Sequence, residues 1–307
     1  MVDNPVTRIS LPAGDLDLQI EVQPDLTFWG DVRKRFFRNK MAVIGLIVFG
    51  LLIVVAVCGP FVLSGDYKAA RNGLENLRPF TPKSLLGTDD LGRDLFRRTV
   101  RGLGISLRLA AAVTTAVTLL GMVLGGLAGY FGGWIDNALS RSVDALYAVP
   151  YVIIGIAFIA ILGRSFWTVL GTLVFTGWLS TFRLFRASVL QIRNQDFIEA
   201  ARATGADNKR IILQHVVPNA LPPVVVSIAF SIAGAVLLES IFSFLAIGFI
   251  EPTPALGVMI RQARNSIQAY PHQLFVPASV LVLLTLSIVF VGDGLRDALD
   301  PKLRGAD

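Results

Sequence analysis

Charged residues are scarce in this sequence of 307 residues, where Asp, Glu, Lys and Arg together make up only 16% and hydrophobic residues make up 53%. The mean hydropathy is +0.63. This composition is too apolar for an ordinary water-soluble domain. It indicates one helical membrane domain, although the length alone would suit two soluble domains of about 150 residues each.

Several chemical groups are also missing. Cys58 is the only cysteine, which excludes an internal disulfide. No phosphate-binding loop of the GxxxxGK[ST] type occurs, so we expect ATP to be bound elsewhere and predict no cofactor for this chain. His215 and His272 are too far apart along the chain to predict a shared metal site. A cluster of His, Asp or Cys typical of a membrane enzyme is lacking, and we predict a protein without catalytic residues.

Long apolar runs predict six membrane-spanning segments. They fall at residues 41–63, 105–128, 144–163, 166–182, 221–245 and 274–292. These spans are expected to be helices, because backbone groups in lipid must pair within the chain and no alternating barrel pattern occurs. The sequence therefore predicts an all-α membrane protein.

Ionisable residues are missing from the first, fourth and sixth of these spans. A secondary transporter driven by protons or sodium usually has such groups and often inverted repeats, so this alternative is disfavoured. Glu239, near the outer end of the fifth span, is the exception. It is a candidate pathway or gate residue that contacts a substrate amine, and the alternative is a role in packing at the interface.

Basic residues are concentrated beside the apolar runs. The net charge is +6, and basic residues that flank spans indicate membrane orientation rather than nucleic-acid binding. Five of them between positions 33 and 40 predict that residues 1–40 form a cytoplasmic tail. Six crossings then return residues 293–307 to the cytoplasm, and the loop at residues 183–219 is cytoplasmic on the same path.

The segment at residues 64–104 should be extracytoplasmic, yet it holds eight Lys and Arg against five Asp and Glu. This is a poor fit to the positive-inside rule. Residues 90–103 can form a helix with Arg93, Arg97 and Arg101 on one side and apolar residues on the other. We expect this helix to lie in the membrane interface, ahead of a five-helix core at residues 105–292.

Small residues and prolines predict details of that core. Gly121, Gly125 and Gly129 recur every four residues, beside Gly126, which permits close approach of a neighbouring helix. Pro150 and Pro277 are expected to kink the third and the sixth span.

Residues 196–219 predict a helix, a turn and a second helix. Asp196 is a candidate N-cap, and Glu199 three residues later would complete a capping box. Ala200 and Ala201 favour helix at little side-chain cost. Gly205 is expected to end the first helix, because glycine tolerates a left-handed backbone.

The second helix of this segment would be capped by Asp207 or Asn208 and would lead through Pro218 into the fifth span. Together the two helices would form a short lever across the membrane face, joined rigidly to a spanning helix. The alternative is a polar loop that only contains a capped helix.

Glu199-Ala-Ala, then Gly205 after three positions and His215-Val-Val-Pro after nine more, resembles the EAA loop of binding-protein-dependent ABC importers. In that family the loop docks into a cleft on the ATPase subunit. The resemblance therefore implies that ATPase coupling involves the following residues of this chain: Asp196, Glu199, Ala200, Ala201 and Gly205.

Three further motifs resemble the C-type permease subunit of the dipeptide and oligopeptide (peptide/nickel) importers. They are LGTDDLGRD at residues 86–94, FSFLAIG at 242–248 and GDGLRDALDP at 292–301. With the EAA loop they cover nearly the whole chain from about residue 41. The resemblance implies the type I ABC importer permease fold and a subunit that imports di- or oligopeptides, with nickel or glutathione as alternative substrates.

The same resemblance implies the partners of the chain. These are a second homologous permease subunit, one or two cytoplasmic ATPase subunits that bind ATP, an extracytoplasmic substrate-binding protein and the peptide itself. The location implied is the bacterial cytoplasmic (inner) membrane.

Overall fold

A computed structural model of the chain describes residues 28–63 and 66–300. The predicted tails therefore lie partly outside the described residues, at positions 1–27 and 301–307. Within the described ranges no β-strand forms, and the helices in chain order are α1 (Phe28–Arg38), α2 (Lys40–Val62), α3 (Leu95–Phe131), α4 (Gly133–Tyr147), α5 (Tyr151–Leu162), α6 (Phe166–Arg193), α7 (Asp196–Ala203), α8 (Asn208–Ile211), α9 (Val217–Phe244), α10 (Leu256–Ala263) and α11 (His272–Leu299). One turn of π-helix, Ile212–Val216, joins α8 to α9.

The predicted all-α architecture is confirmed. Helices α2, α3, α6 and α11 are each long and apolar enough to cross a membrane, and so is the unit formed by α8, the π-turn and α9. Helices α4 and α5 pass the same test together but are bent by 86°. Counted as one broken span, they make the total consistent with six.

The break between α4 and α5 falls at the expected position. Pro150 is the residue before α5, and its fixed backbone angle and missing N–H interrupt the helix. The expected kink is therefore confirmed. The start predicted for the third span, position 144, is wrong, because the bent pair begins at Gly133 and the predicted range contains only the end of α4. Pro277 lies inside α11, which continues as one helix from His272 to Leu299.

The start predicted for the second span is wrong. Helix α3 begins at Leu95, where the carboxylate of Asp94 caps it by accepting a hydrogen bond from the Arg97 N–H at 3.0 Å. No proline interrupts the next 37 residues, so the expected interfacial helix is simply the first part of the spanning helix. Gly102 lies inside this helix, where the lack of a side chain allows the Pro254 carbonyl to approach closely.

The end predicted for the fourth span is also too early, because α6 continues to Arg193. Charged residues after position 182 indicated a loop, but they pair with acidic side chains of α4. Arg183 contacts Asp144 at 2.6 Å, and Arg186 donates hydrogen bonds to both carboxylate oxygens of Asp136. These partners allow the helix to continue.

Glycines bring α3 and α6 together as expected. A Cβ atom at Gly125 would lie 2.6 Å from the Phe182 carbonyl oxygen, and one at Gly129 would lie 2.9 Å from that of Arg186. Only a glycine fits so close to a neighbouring backbone. Helix α9 packs against both helices, and α11 packs against α9 and α2.

Buried ion pairs fix residues 66–94, named the outer segment because the sequence predicts an extracytoplasmic location for them, to the helical core. The Asp89 carboxylate contacts Arg93 Nε at 2.6 Å and lies 3.5 Å from Arg98 Nε, and Glu251 accepts a hydrogen bond from Arg93 at 2.9 Å. Burial alone would lower the pKa of Arg93, but Glu251 and Asp89 outweigh it and raise that pKa above its usual value.

This ion-pair cluster accounts for part of the unexpected basic count of residues 64–104. Of the eight Lys and Arg in that range, Arg93 and Arg98 are buried beside carboxylates rather than exposed. They therefore contribute little to the charge that governs orientation.

Candidate functional site

The predicted helix, turn and helix are present at α7 and α8, but the predicted capping box is wrong. Gln195 is the N-cap residue of α7, and its side chain makes no capping bond. Asp196 and Glu199 instead lie in the first helical turn, both exposed. There their charges interact favourably with the positive end of the helix dipole.

The C-terminal end of α7 is a Schellman motif. Gly205 has φ +83°, the left-handed conformation expected from the sequence. Its N–H donates to the Arg202 carbonyl at 3.0 Å, and the Ala206 N–H reaches back to the Ala201 carbonyl at 3.1 Å. This turn sets the direction in which the chain leaves α7.

Two fully buried isoleucines anchor the pair of short helices to the core. Ile198 of α7 and Ile211 of α8 belong to one apolar cluster with Phe185 of α6 and Val216 and Val224 of the following span. Burial of such side chains stabilises a position by about 1.5–3 kcal/mol each. The isoleucines therefore hold α7 and α8 against the core.

Hydrogen bonds add a second connection. Asp207 caps α8 by accepting from the Arg210 N–H at 3.2 Å, which confirms one of the two expected caps. The other candidate, Asn208, accepts a bond from the Tyr130 hydroxyl at 2.7 Å, and Arg193 donates to the Tyr130 carbonyl at 2.8 Å. The ends of α3 and α6 are thus tied to α8.

The outer face of α7 remains open to a partner. Glu199 and Ala200 are exposed, Ala201 is half-buried, and 45% of the surface of Phe197 is exposed. A Cβ atom at Gly205 would meet no atom within 4 Å. The structure thus brings the five predicted coupling residues together on one short helix and the turn that follows it.

Glu239 lies apart from this surface. Its carboxylate is fully buried and accepts hydrogen bonds from Ser106 of α3 and Ser243 of α9, each at 2.8 Å. Ser240 lies 3.5 Å away. In this conformation the side chain joins two helices, and its contact with a transported substrate stays a prediction.

Several residues of these sites were missed from the sequence. Ile198 is indistinguishable from other apolar residues until the tertiary contacts are known, whereas Ser243, four positions after Glu239, shares a helical face with it and could have been noticed. No group of His, Cys, Asp or Glu suited to a metal ion occurs within residues 28–63 and 66–300.

Comparison with known proteins identifies the family. Residues 121–305 match the family described as binding-protein-dependent transport system inner membrane component. Residues 27–79 match the N-terminal TM domain of oligopeptide transport permease C. The first match includes α7, α8 and the spans that carry them.

Relatives match along most of their length. The chain is 36% identical to the oligopeptide transport system permease protein OppC of Bacillus subtilis over 91% of each chain. It is 37% identical to the dipeptide transport system permease protein DppC of Alkalihalophilus pseudofirmus over 90% of each chain.

A solved structure of the MetNI methionine ABC transporter in an inward-facing conformation shares the fold. It aligns with a TM-score of 0.56 and 21% identity over 66% of this chain and 96% of that one. The fold is that of type I ABC importer permeases, and the chain belongs to the family of binding-protein-dependent transport system inner membrane components, as a C-type permease subunit of the peptide ABC importers.

Proposed function

We propose that this chain is one of two permease subunits in an ATP-driven, binding-protein-dependent importer of di- or oligopeptides. It forms half of the translocation pathway. The observation that carries the proposal is the exposed helix α7, which is anchored through Ile198 and is continuous through α8 and the π-turn with the spanning helix α9. Relatives named as oligopeptide and dipeptide permeases support peptides as the substrate class.

In this proposal α7 docks into a cleft of a cytoplasmic ATPase subunit, through Asp196, Glu199, Ala200, Ala201 and Gly205. The ATPase binds and hydrolyses ATP, and its movement is transmitted through α8 to α9. A substrate-binding protein delivers the peptide on the opposite side of the bacterial cytoplasmic membrane. Both termini of the chain and the α7–α8 segment are then cytoplasmic, as the basic residues near position 40 suggest.

Reconstitution tests the proposal. The chain, its partner permease, the ATPase subunits and the binding protein are placed in liposomes, and ATP-dependent entry of radiolabelled di- and pentapeptides is measured. We expect saturable peptide uptake that needs the binding protein, and no ATP hydrolysis by the purified chain alone. Saturable uptake of nickel or glutathione without any peptide uptake would instead assign one of those substrates.

A further inference from the structure

An open cavity of about 260 Å³ lies on the side of the molecule that carries the outer segment. It is formed by the early part of α3, the turn between α5 and α6, and the loop between α9 and α10. Its lining includes one cation, Arg164, one carboxylate, Glu251, and the apolar side chains of Ile105, Phe166 and Phe249. A concave apolar site with a few charged groups is typical of a binding site for a small molecule.

The apolar wall of this cavity is fixed by aromatic packing and by a helix cap. The rings of Phe166 and Phe249 are stacked with centroids 6.3 Å apart and planes 28° from parallel. Ser165, the N-cap of α6, accepts a hydrogen bond from the Thr168 N–H at 3.0 Å. The turn at Gly163, with φ +75°, comes directly before Arg164.

The other two walls of the cavity, α3 and the loop between α9 and α10, are connected through the buried carboxylate of Glu239. Ser106, which donates to Glu239, directly follows the lining residue Ile105. Ser243, the second donor, accepts a hydrogen bond from the N–H of Phe249 at 3.1 Å. Glu239 therefore holds α3 and the α9–α10 loop at a fixed separation, which preorganises the cavity.

The two charged groups of the cavity remain accessible. Arg164 is exposed, and no ion pair joins it to Glu251 or another acidic residue among the described parts of the chain. The Glu251 side chain is 39% exposed and is held by Arg93 through one oxygen. Arg164 and Glu251 thus face the same space without pairing with each other, and the second carboxylate oxygen of Glu251 is not used by Arg93.

We propose that this cavity is a subsite for a short zwitterionic peptide on its way into the pathway. Arg164 binds the C-terminal carboxylate, Glu251 binds the terminal ammonium, and the stacked rings contact an apolar side chain. The inference rests on the proposed function, because it names where a transported peptide contacts this subunit. A charge at each end of the ligand is what distinguishes a free peptide from a blocked one.

Protection of an introduced thiol tests the subsite without the binding protein. Thr253, which lines the cavity, is changed to Cys in a Cys58→Ser background. The complete complex of permeases and ATPases in liposomes is then treated with a membrane-impermeant thiol reagent. The dipeptide Ala-Phe, its C-terminal amide and its N-acetyl derivative are compared as protecting ligands. We expect Ala-Phe to slow labelling, and each blocked derivative to need about tenfold more ligand, since one charged hydrogen bond is lost.

Variants assign the two ends of the ligand. Arg164→Gln should abolish the preference for the free carboxylate over the amide, and Glu251→Gln should abolish the preference for the free amine over the acetylated peptide. Lys83→Gln is the matched control, because Lys83 is an exposed cation of the outer segment that does not line the cavity. Both preferences should survive in that variant.

Three results would overturn the subsite. The first is equal protection by all three ligands, and the second is an Arg164→Gln variant that still prefers the free carboxylate. The third is a Thr253→Cys thiol that reacts in the isolated chain but not in the complex. The last would mean that the partner permease covers this surface. Uptake of Ala-Phe by the complete importer is measured in parallel, so uptake without protection rejects the subsite alone, whereas absence of any peptide uptake rejects the proposed function.

Discussion

Gly205 combines a left-handed backbone with open space around its Cα atom. A side chain there causes no collision, so its cost comes only from the backbone, roughly 1 kcal/mol for a β-branched residue. We expect Gly205→Val to insert normally into the membrane but to lower peptide-stimulated ATP turnover and uptake severalfold, because the Schellman turn that orients α7 is relaxed.

Two variants separate this effect from general strain. Gly73 also has a positive φ, +78°, and no atom within 4 Å of a Cβ position, but it lies in the outer segment. Gly73→Val should therefore leave coupling unchanged, and Gly205→Asn should remain close to wild type because asparagine tolerates this backbone. Wild-type turnover in Gly205→Val at normal expression would contradict the role of the turn.

The second prediction for a single residue concerns Asp89 and the thermal stability of the chain. It is 5% exposed and is the acidic partner of two buried arginines, Arg93 and Arg98. Asp89→Asn would leave Arg98 with no carboxylate within 4 Å among the described residues, and loss of one partner of a buried pair typically costs about 3–5 kcal/mol. We expect a clearly lower Tm for the purified chain in detergent.

The adjacent carboxylate provides the control for that measurement. The side chain of Asp90 is 65% exposed and lies 3.8 Å from Arg93. Exposed pairs contribute about 0–1 kcal/mol, so Asp90→Asn should change the Tm little. Similar Tm shifts in the two variants would show that the buried cluster does not stabilise the outer segment.

At the scale of helices, the sequence predicted which segments span the membrane better than where they end. Apolar length located α2 to within a residue, because hydrophobicity alone defines a helix that lies mostly in lipid. The predicted start of the second span and the predicted end of the fourth were wrong, since charged residues there have partners distant in the sequence, such as Asp136 for Arg186. Such partners are invisible before the fold is known.

Helix α7 shows the same difference between local and distant interactions. Gly205 and Asp207 were identified correctly as turn and cap because their roles are local. The capping box was wrong, because Glu199 lies in the first turn of α7 without a capping bond. What holds α7 in place is Ile198, whose contacts are with other helices.

Ile198 therefore provides the prediction for this helix. Ile198→Ala removes a buried side chain, which costs about 2–5 kcal/mol in a packed site, and α7 should lose its fixed orientation. We expect peptide-stimulated ATP turnover to fall severalfold and protease cleavage within α7 to become faster. Ile198→Val, which keeps most of the volume, should be much milder. Turnover that is unchanged in Ile198→Ala would show that anchoring does not matter for coupling.

Glu199→Ala complements that test. Since the Glu199 side chain makes no capping bond, its loss removes from α7 only the favourable interaction with the helix dipole, about 0.3–1 kcal/mol. Reduced ATP turnover in this variant would then report lost contact with the ATPase rather than a weakened helix, and wild-type turnover would remove Glu199 from the docking surface.

In the whole molecule, polar segments lie at both ends of the bundle of spanning helices. One end contains the outer segment with its ion-pair cluster and the proposed peptide cavity, and the other contains α7 and α8. When the bent pair α4–α5 is counted as one span, four spans separate the basic residues near position 40 from α7, and both then lie on the same side of the membrane. The proposed peptide cavity and the proposed ATPase-docking surface thus lie at opposite ends of the same helices, α9 among them.

Labelling of single cysteines tests this arrangement. Lys68 of the outer segment and Lys209 of α8 are both exposed cations, so each position is accessible in the folded chain. In a Cys58→Ser background, Lys68→Cys in intact spheroplasts should react with an impermeant thiol reagent, whereas Lys209→Cys should react only after the membrane is opened. Burial and pairing of Arg93 and Arg98 still leave six of the eight Lys and Arg of residues 64–104 in conflict with the positive-inside rule, so the labelling result decides the orientation. Reaction of Lys209→Cys from outside would place α7 and α8 away from any cytoplasmic ATPase, and the docking role would have to be abandoned together with the six-span orientation.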